Sequence, residues 1–265
     1  RVGQLTADKD AFLLGGAHIR ERNLGRGGQT AHPCMPGCMI ECSNVYMDEQ
    51  GKEIVSTLEY ETLGVLGSYC GIEDPDDVAR LNALVNDMGA DTIEVGAMLG
   101  VLMDAGEGEF GDFDFMHKAL EDMRAGNERG RLLAQGAARV GEHFGAARVP
   151  VIKRQAISAY DPRVIEVTGI SMMLTAQGGD HTVGNLPAYD CKGKSTAELV
   201  AVSLEAQFNA AAADSLGLCV FGRSVTDTNL GLIVGALNDA HGTNFDSSFL
   251  RTLGREALEM EWAFN

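Results

Sequence analysis

The chain has 265 residues, 45% hydrophobic and 22% charged, which is the composition of a folded protein with room for a sizeable core or two smaller domains. A formal net charge of −17 argues against a nucleic-acid surface, which needs clustered Lys and Arg, and no apolar run nears the roughly 20 residues that cross a bilayer. The first residues, "RVGQLTADKD", lack the basic-then-apolar pattern of a signal peptide and carry no initiator Met, so the sequence reads as processed or cut from something longer; six cysteines spread over this length do not make a small disulfide scaffold and point to a reducing, cytoplasmic compartment.

In chain order, "GRGGQT" (25–30) reads as a flexible loop. The stretch "HPCMPGCMIECSN" (32–44) follows and sets Cys34, Cys38 and Cys42 within nine residues. Thiolates on a short loop can share a metal if the backbone reverses between them, and Pro36-Gly37 permits that reversal. C-x3-C-x3-C lacks the CxxC pair of most structural zinc sites, with His32 the sole nearby His, and three thiolates with a distant fourth suit a [4Fe-4S] cluster better. Cys70, Cys191 and Cys219 are the candidates for that fourth ligand. The competing reading is three buried small side chains, since Cys is among the most buried residue types.

Helical periodicity then dominates. "DPDDVARLNALVNDMG" opens with good N-terminal chemistry and sets Val78, Leu81 and Val85 on one stripe. "DTIEVGAMLGVLMDAGE" is apolar, rich in small residues and without a broad polar face, which predicts a buried helix. "DFDFMHKALEDMRAG" and "ERGRLLAQGAARVGEHFG" read as two amphipathic helices ending near Gly. "VPVIKRQAISAYDPRVIEVTGI" breaks the pattern with Pro and β-branched residues near position 150. Three helical stretches follow: "STAELVAVSLEAQFNAAAADSLG", "DTNLGLIVGALNDAHG" and "DSSFLRTLGREALEMEWAF". The expected architecture is mainly α in two helical lobes, residues 1–150 and 151–265. "NDMGAD" (86–91) and "DSLGLC" (214–219) share a frame, each at a predicted helix C-terminus with Gly where the backbone turns left-handed; two ordinary glycine caps would look the same.

Taken in order, the Cys cluster, "EYETLGVLGSYCGI", "NDMGADTIEVG", "LLAQGA", "AYDPR", "GGDHT" and "DSLGLC" resemble the tungsten-dependent aldehyde ferredoxin oxidoreductase family. The resemblance implies domains 2 and 3 of that fold, with Cys34, Cys38, Cys42 and Cys219 holding a [4Fe-4S] cluster. It implies that Asn86, Asp91 and Asp214, with Leu218 beside them, bind the rings of a tungsten (or molybdenum) bis-pterin cofactor, where charge-assisted bonds to the pterin N–H edge fix its orientation. Glu61 and His181 take the catalytic places: Glu61 as general base, His181 as hydrogen-bond donor to a carbonyl oxygen. Glu59 competes for the role of Glu61. Isolated from the family, a Glu in a Tyr-rich segment and a His after Gly-Gly would read as surface and loop residues.

The match has departures. The first cysteine spacing is three residues where the family usually has two, and the Pro-Gly pair is expected to absorb the difference. The helix that carries a bridging Glu-x-x-His pair in some family dimers reads "ARLNAL", so no bridging metal of that kind is expected. Gln177 stands where an Arg is common, which points away from a simple aldehyde as substrate. Nothing in residues 1–33 forms the family's N-terminal β domain, so a missing N-terminal domain or subunit is an expected partner, and "EMEWAFN" stops before the family's closing segment. The expected activity is oxidation of an aldehyde to a carboxylic acid, with electrons passed to ferredoxin or another iron-sulfur protein. The alternatives are reduction of aromatic acyl thioesters on the same scaffold, a cluster-bearing electron-transfer or scaffold subunit without a functional tungstopterin, and a zinc-stabilised helical protein.

Overall fold

The structure, a computed structural model, describes residues 12–265, and these divide into two compact units between Ala159 and Tyr160. In the first unit, α1 (Gly16–Gly25) precedes a small antiparallel sheet of β1 (Gln29–His32), β2 (Ser43–Met47) and β3 (Glu53–Val55), in that spatial order. Gln29 pairs with Val45 and His32 with Ser43, so residues 33–42 are the loop of a β-hairpin. The expected flexible loop over 25–30 therefore ends in a strand. Asn23 is the reason: fully buried, it donates to Gln29 O (3.2 Å) and Val45 O (2.9 Å) and accepts from Met47 N (3.0 Å), clipping both strands to α1.

A short α2 (Tyr60–Thr62) runs into a π-helical turn, Leu63–Ser68. Next, α3 (Pro75–Asp87) starts with Pro at its first position and an Asp74 cap on Asp76 N (2.9 Å), and it buries Val78, Leu81 and Val85 as the sequence stripe requires. Asp76, also buried, accepts from Arg26 (2.7 and 3.0 Å), Arg22 (2.9 Å) and Tyr46 Oη (2.7 Å), joining α1, β2 and α3.

The centre of the first unit is α4 (Thr92–Asp104), in which every residue from Val95 to Met103 is buried. Its small residues have a specific use. A Cβ at Gly96 would lie 2.8 Å from the Val65 backbone, and one at Gly100 would lie 2.1 Å from the Tyr69 ring. Glycine at this one-turn spacing lets the π-helical segment lie directly on α4. Outside it are α5 (Phe113–Ala125), α6 (Glu128–Leu133), α7 (Ala137–Phe144) and the hairpin of β4 (Val151–Ile152) and β5 (Gln155–Ala156).

The single amphipathic helix expected over "ERGRLLAQGAARVGEHFG" is broken at Gly136, whose φ is 86°. The break has a partner in α4: Glu94 accepts from Ala137 N at the start of α7 (2.7 Å) and, through its other oxygen, from Ala156 N in β5 (2.9 Å). One carboxylate thus ties three elements. Glu94→Ala leaves two partly buried amides without their acceptor, and a loss of about 2–3 kcal/mol is expected in denaturant unfolding at unchanged m. A loss below about 0.5 kcal/mol would mean that water replaces the carboxylate.

The second unit begins with α8 (Glu166–Leu174), then α9 (Thr196–Ser215), a 3-10 turn (Val220–Gly222), α10 (Arg223–Thr226), α11 (Leu230–His241) and α12 (Ser248–Phe264). A capping box starts α9: Ser195 Oγ accepts from Glu198 N (3.3 Å) while Glu198 accepts from Ser195 N (2.9 Å). Helix α9 packs on α8 and α12, and a Cβ at Gly254 would lie 1.9 Å from Phe208 O, so α9 and α12 approach to backbone distance. Among the described residues, no helix is long and apolar enough to cross a membrane.

Candidate cofactor site

The two echo motifs fold into the same turn. At the end of α3, Gly89 N donates to Asn86 O (3.0 Å) and Ala90 N to Val85 O (3.1 Å); at the end of α9, Gly217 N donates to Asp214 O (3.0 Å) and Leu218 N to Ala213 O (2.9 Å). Both are Schellman motifs, with the glycines left-handed at φ 67° and 65°. Asn86 and Asp214 hold one position, Ala90 and Leu218 a second, Asp91 and Cys219 a third. Each third residue starts a helical segment: Asp91 accepts from Glu94 N (2.8 Å) at the head of α4, and Cys219 precedes the 3-10 turn. The cap commits one of the two Asp91 carboxylate oxygens.

Asn86 and Asp214 are exposed, and neither side chain has a hydrogen-bond partner among the described residues. An acidic group in the last turn opposes the helix dipole by about 0.3–1 kcal/mol, so Asp214 is not there for helix stability. Its carboxyl is raised above the usual carboxylate range, mainly by burial of part of its surroundings; Arg223 acts against the rise and Asp180 adds to it. Asp180 adjoins His181, so the second echo turn and the "GGDHT" segment share one electrostatic neighbourhood.

The cysteine loop is a shaped holder. Cys38 N donates to Met35 O (3.2 Å) across Pro36-Gly37, with Gly37 at φ 82°, the backbone of a type II turn. Glu41 is left-handed at φ 50°, and its N–H points at Cys38 Sγ (3.4 Å). Amides of Glu41, Ile40 and Cys34 hold the Cys38 thiol below its ordinary value. Cys34 and Cys42 are exposed and Cys38 is half-buried; none of the six cysteines is in a disulfide. Cys219, in the second unit, is also exposed. Among the described residues, no three His, Cys, Asp or Glu side chains are gathered closely enough to hold a metal ion. The donor set nevertheless fits an iron-sulfur cluster: accessible thiols on a loop whose amides stabilise thiolate charge.

Glu61 lies in α2, directly before the π-helical turn, a geometry common at functional sites. Its Oε2 accepts from Ala159 N (2.7 Å), its Oε1 is shut off from solvent, and the neighbouring Tyr60 Oη donates to Ala159 O (3.2 Å). Both side chains therefore grip one residue, Ala159, through its N–H and its C=O. Glu59, the competitor, accepts instead from the Thr57 hydroxyl (2.9 Å) at the surface. His181 is half-buried; its Nδ1 is 3.8 Å from Asp180 Oδ1, and its ring stacks on Tyr160 with centroids 5.6 Å apart. The sequence reading missed that stacking partner, and the presence of Tyr160 in "AYDPR" was the available signal.

Comparison with known proteins decides the lineage. The family model described as aldehyde ferredoxin oxidoreductase, domains 2 & 3, matches residues 5–265. The chain belongs to that family. Its similarity to two proteins named tungsten-containing aldehyde ferredoxin oxidoreductase is 28% identity over 261 residues in Pyrococcus horikoshii and 28% over 265 residues in Pyrococcus abyssi, each covering 88% of this chain and 42% of the relative. A Pyrococcus furiosus protein named aliphatic sulfonate oxidoreductase, WOR-like subunit, is 25% identical over 255 residues, covering 85% of this chain and 38% of the relative. The chain thus spans less than half the length of these curated relatives, and its mainly helical fold is that of the family's domains 2 and 3.

Proposed function

We propose that this chain forms the helical portion of a tungstopterin oxidoreductase that converts an aldehyde and water to a carboxylate, with two electrons passed on to ferredoxin or a similar iron-sulfur protein. The observation that carries the reading is the pair of matching Schellman turns with exposed, unpartnered Asn86 and Asp214. Two such turns suit two pterins: Asn86 and Asp91 would hold one, Asp214 and the Leu218 backbone the other. Cys34, Cys38, Cys42 and Cys219 would hold a [4Fe-4S] cluster, and Cys219, five residues after Asp214, would bring it next to the second pterin. Bound there, the metal-pterin group supplies a two-electron acceptor and the cluster a one-electron path outward.

In this reading the chain's own residues hold substrate and move protons. Glu61, oriented by Ala159 N–H, takes a proton from the attacking water. His181, oriented by the Tyr160 ring and Asp180, donates to the aldehyde oxygen as negative charge builds there. Overall, aldehyde and water yield carboxylate, three protons and two electrons. Glu61→Gln and His181→Asn in the complete enzyme are expected to keep wild-type tungsten and iron while kcat falls by about 10²–10⁴-fold, as for removal of a general acid or base. Unchanged turnover in both would remove them from the mechanism, and loss of metal would reassign them to cofactor binding.

A further inference from the structure

The second unit contains a cavity of about 140 Å³ beside the second echo turn, lined by Gln177, Gln207, Asp214 and Glu261 between apolar walls that include Val183 and Leu258. A space of about 150 Å³ in a protein interior takes a single six-membered aromatic ring. The lining is polar in a particular way. Glu261 Oε2 is closed off from solvent and has no hydrogen-bond partner. An acceptor in that state costs free energy unless a donor N–H reaches it. Gln207, 3% exposed, spends its Nε2 on Ser203 Oγ (3.0 Å) and presents a carbonyl oxygen. The Asp214 carboxylate, as noted above, is also without a partner.

We infer that this cavity receives the aminopyrimidinone ring of a pterin and that Glu261 is a recognition residue for it, its carboxylate accepting from the ring's N–H edge opposite Asp214. The inference rests on the cofactor reading above and extends it to residues on α12. A 2-amino-4-oxo ring offers adjacent N–H donors in one plane, the pattern a carboxylate engages with two parallel bonds. Two carboxylates and a carboxamide oxygen form an acceptor-rich rim, and apolar walls grip the ring faces. Such a site discriminates against a ring whose 2-amino group is replaced by oxygen, because a carboxylate then faces an acceptor.

The test uses the chain and two free probes, 2-amino-4-oxopteridine and 2,4-dioxopteridine, followed by quenching of probe fluorescence, with Tm recorded for every variant. The unaltered chain is expected to prefer the 2-amino compound. Glu261→Gln is expected to bind it about tenfold more weakly, the loss of one charge-assisted bond, and to lose the preference. Ala257→Leu, which fills the cavity from α12 with an apolar side chain, is expected to abolish binding without lowering Tm, and it decides the matter if Glu261→Gln fails to fold. Binding that is lost in Asp214→Asn but unchanged in both Glu261→Gln and Ala257→Leu overturns this inference alone. No binding by the unaltered chain overturns it together with the cofactor reading.

Discussion

Asp76→Ala is expected to lower the unfolding free energy by about 3–5 kcal/mol, because it removes the buried carboxylate on which two largely buried guanidinium groups converge. Arg26 has three-quarters or more of its side chain out of water and gives both its terminal nitrogens to Asp76; Arg22 and Tyr46 converge on the same two oxygens. For a chain of this size the change corresponds to a fall in Tm of roughly 6–20 °C. The pH dependence has a definite sign. Burial opposes ionisation of Asp76, but hydrogen bonds from Arg26 and Tyr46 and the charge of Arg22 outweigh it and hold the carboxyl below the usual carboxylate range. A depressed folded-state value contributes stability above the unfolded-state value of about 4, and that contribution is lost as pH falls through the folded one. The gap in stability between the wild type and Asp76→Ala should therefore be full at pH 6 and shrink below about pH 4. A gap that stays constant down to pH 2 would show that packing, not charge, is what the variant removes.

The hub also bears on function. It fastens α1 and β2, and Asn23 on α1 fastens β1, so the cysteine loop is held at both stems by contacts away from the cysteines. None of this is visible as a motif. Arg22, Arg26, Tyr46 and Asp76 are scattered over more than fifty positions, and only the folded chain makes them one group.

The helices were the legible part. Val78, Leu81 and Val85 recur with helical period, and "TIEVGAMLGVLMD" has no polar face, so both helices and the burial of the second follow from pattern alone. The β-hairpin around the cysteines was not legible. "QTAH" and "SNVYM" are too short for alternation to register, and both are clipped to α1 by Asn23, a residue outside either. The break at Gly136 was hidden for a similar reason, since its cause, Glu94, sits more than forty positions away. In the candidate site, the glycines of the two echo motifs announced their left-handed turns through local chemistry. The cavity at Glu261 gave no such signal: a Glu near the end of an amphipathic helix looks solvated until α9 is packed against it.

The sharpest test of the cluster assignment compares four cysteine variants in anaerobically purified protein. Cys38→Ala and Cys219→Ala are each expected to reduce iron and acid-labile sulfide from about four per chain to near zero, with helicity by circular dichroism within about a tenth of wild type. The reason for expecting intact helices is that neither side chain supports the core: both are at least partly exposed, on a loop and at the rim of a short turn. Cys70→Ala is the opposite case. That thiol is fully buried, its Sγ donates to Val65 O (3.2 Å) and Gly96 O (3.4 Å), and burial pushes it up so that it stays neutral. A neutral thiol wedged between α4 and the π-helical segment is a packing group, so Cys70→Ala should keep its iron and lose about 1 kcal/mol of stability. Full iron in Cys219→Ala, with iron lost on Cys191→Ala, would move the fourth ligand to Cys191 and separate the cluster from the second echo turn. Iron lost in Cys38→Ala and Cys219→Ala but kept in Cys70→Ala and Cys191→Ala would assign the fourth ligand to Cys219, the last residue of the second echo motif.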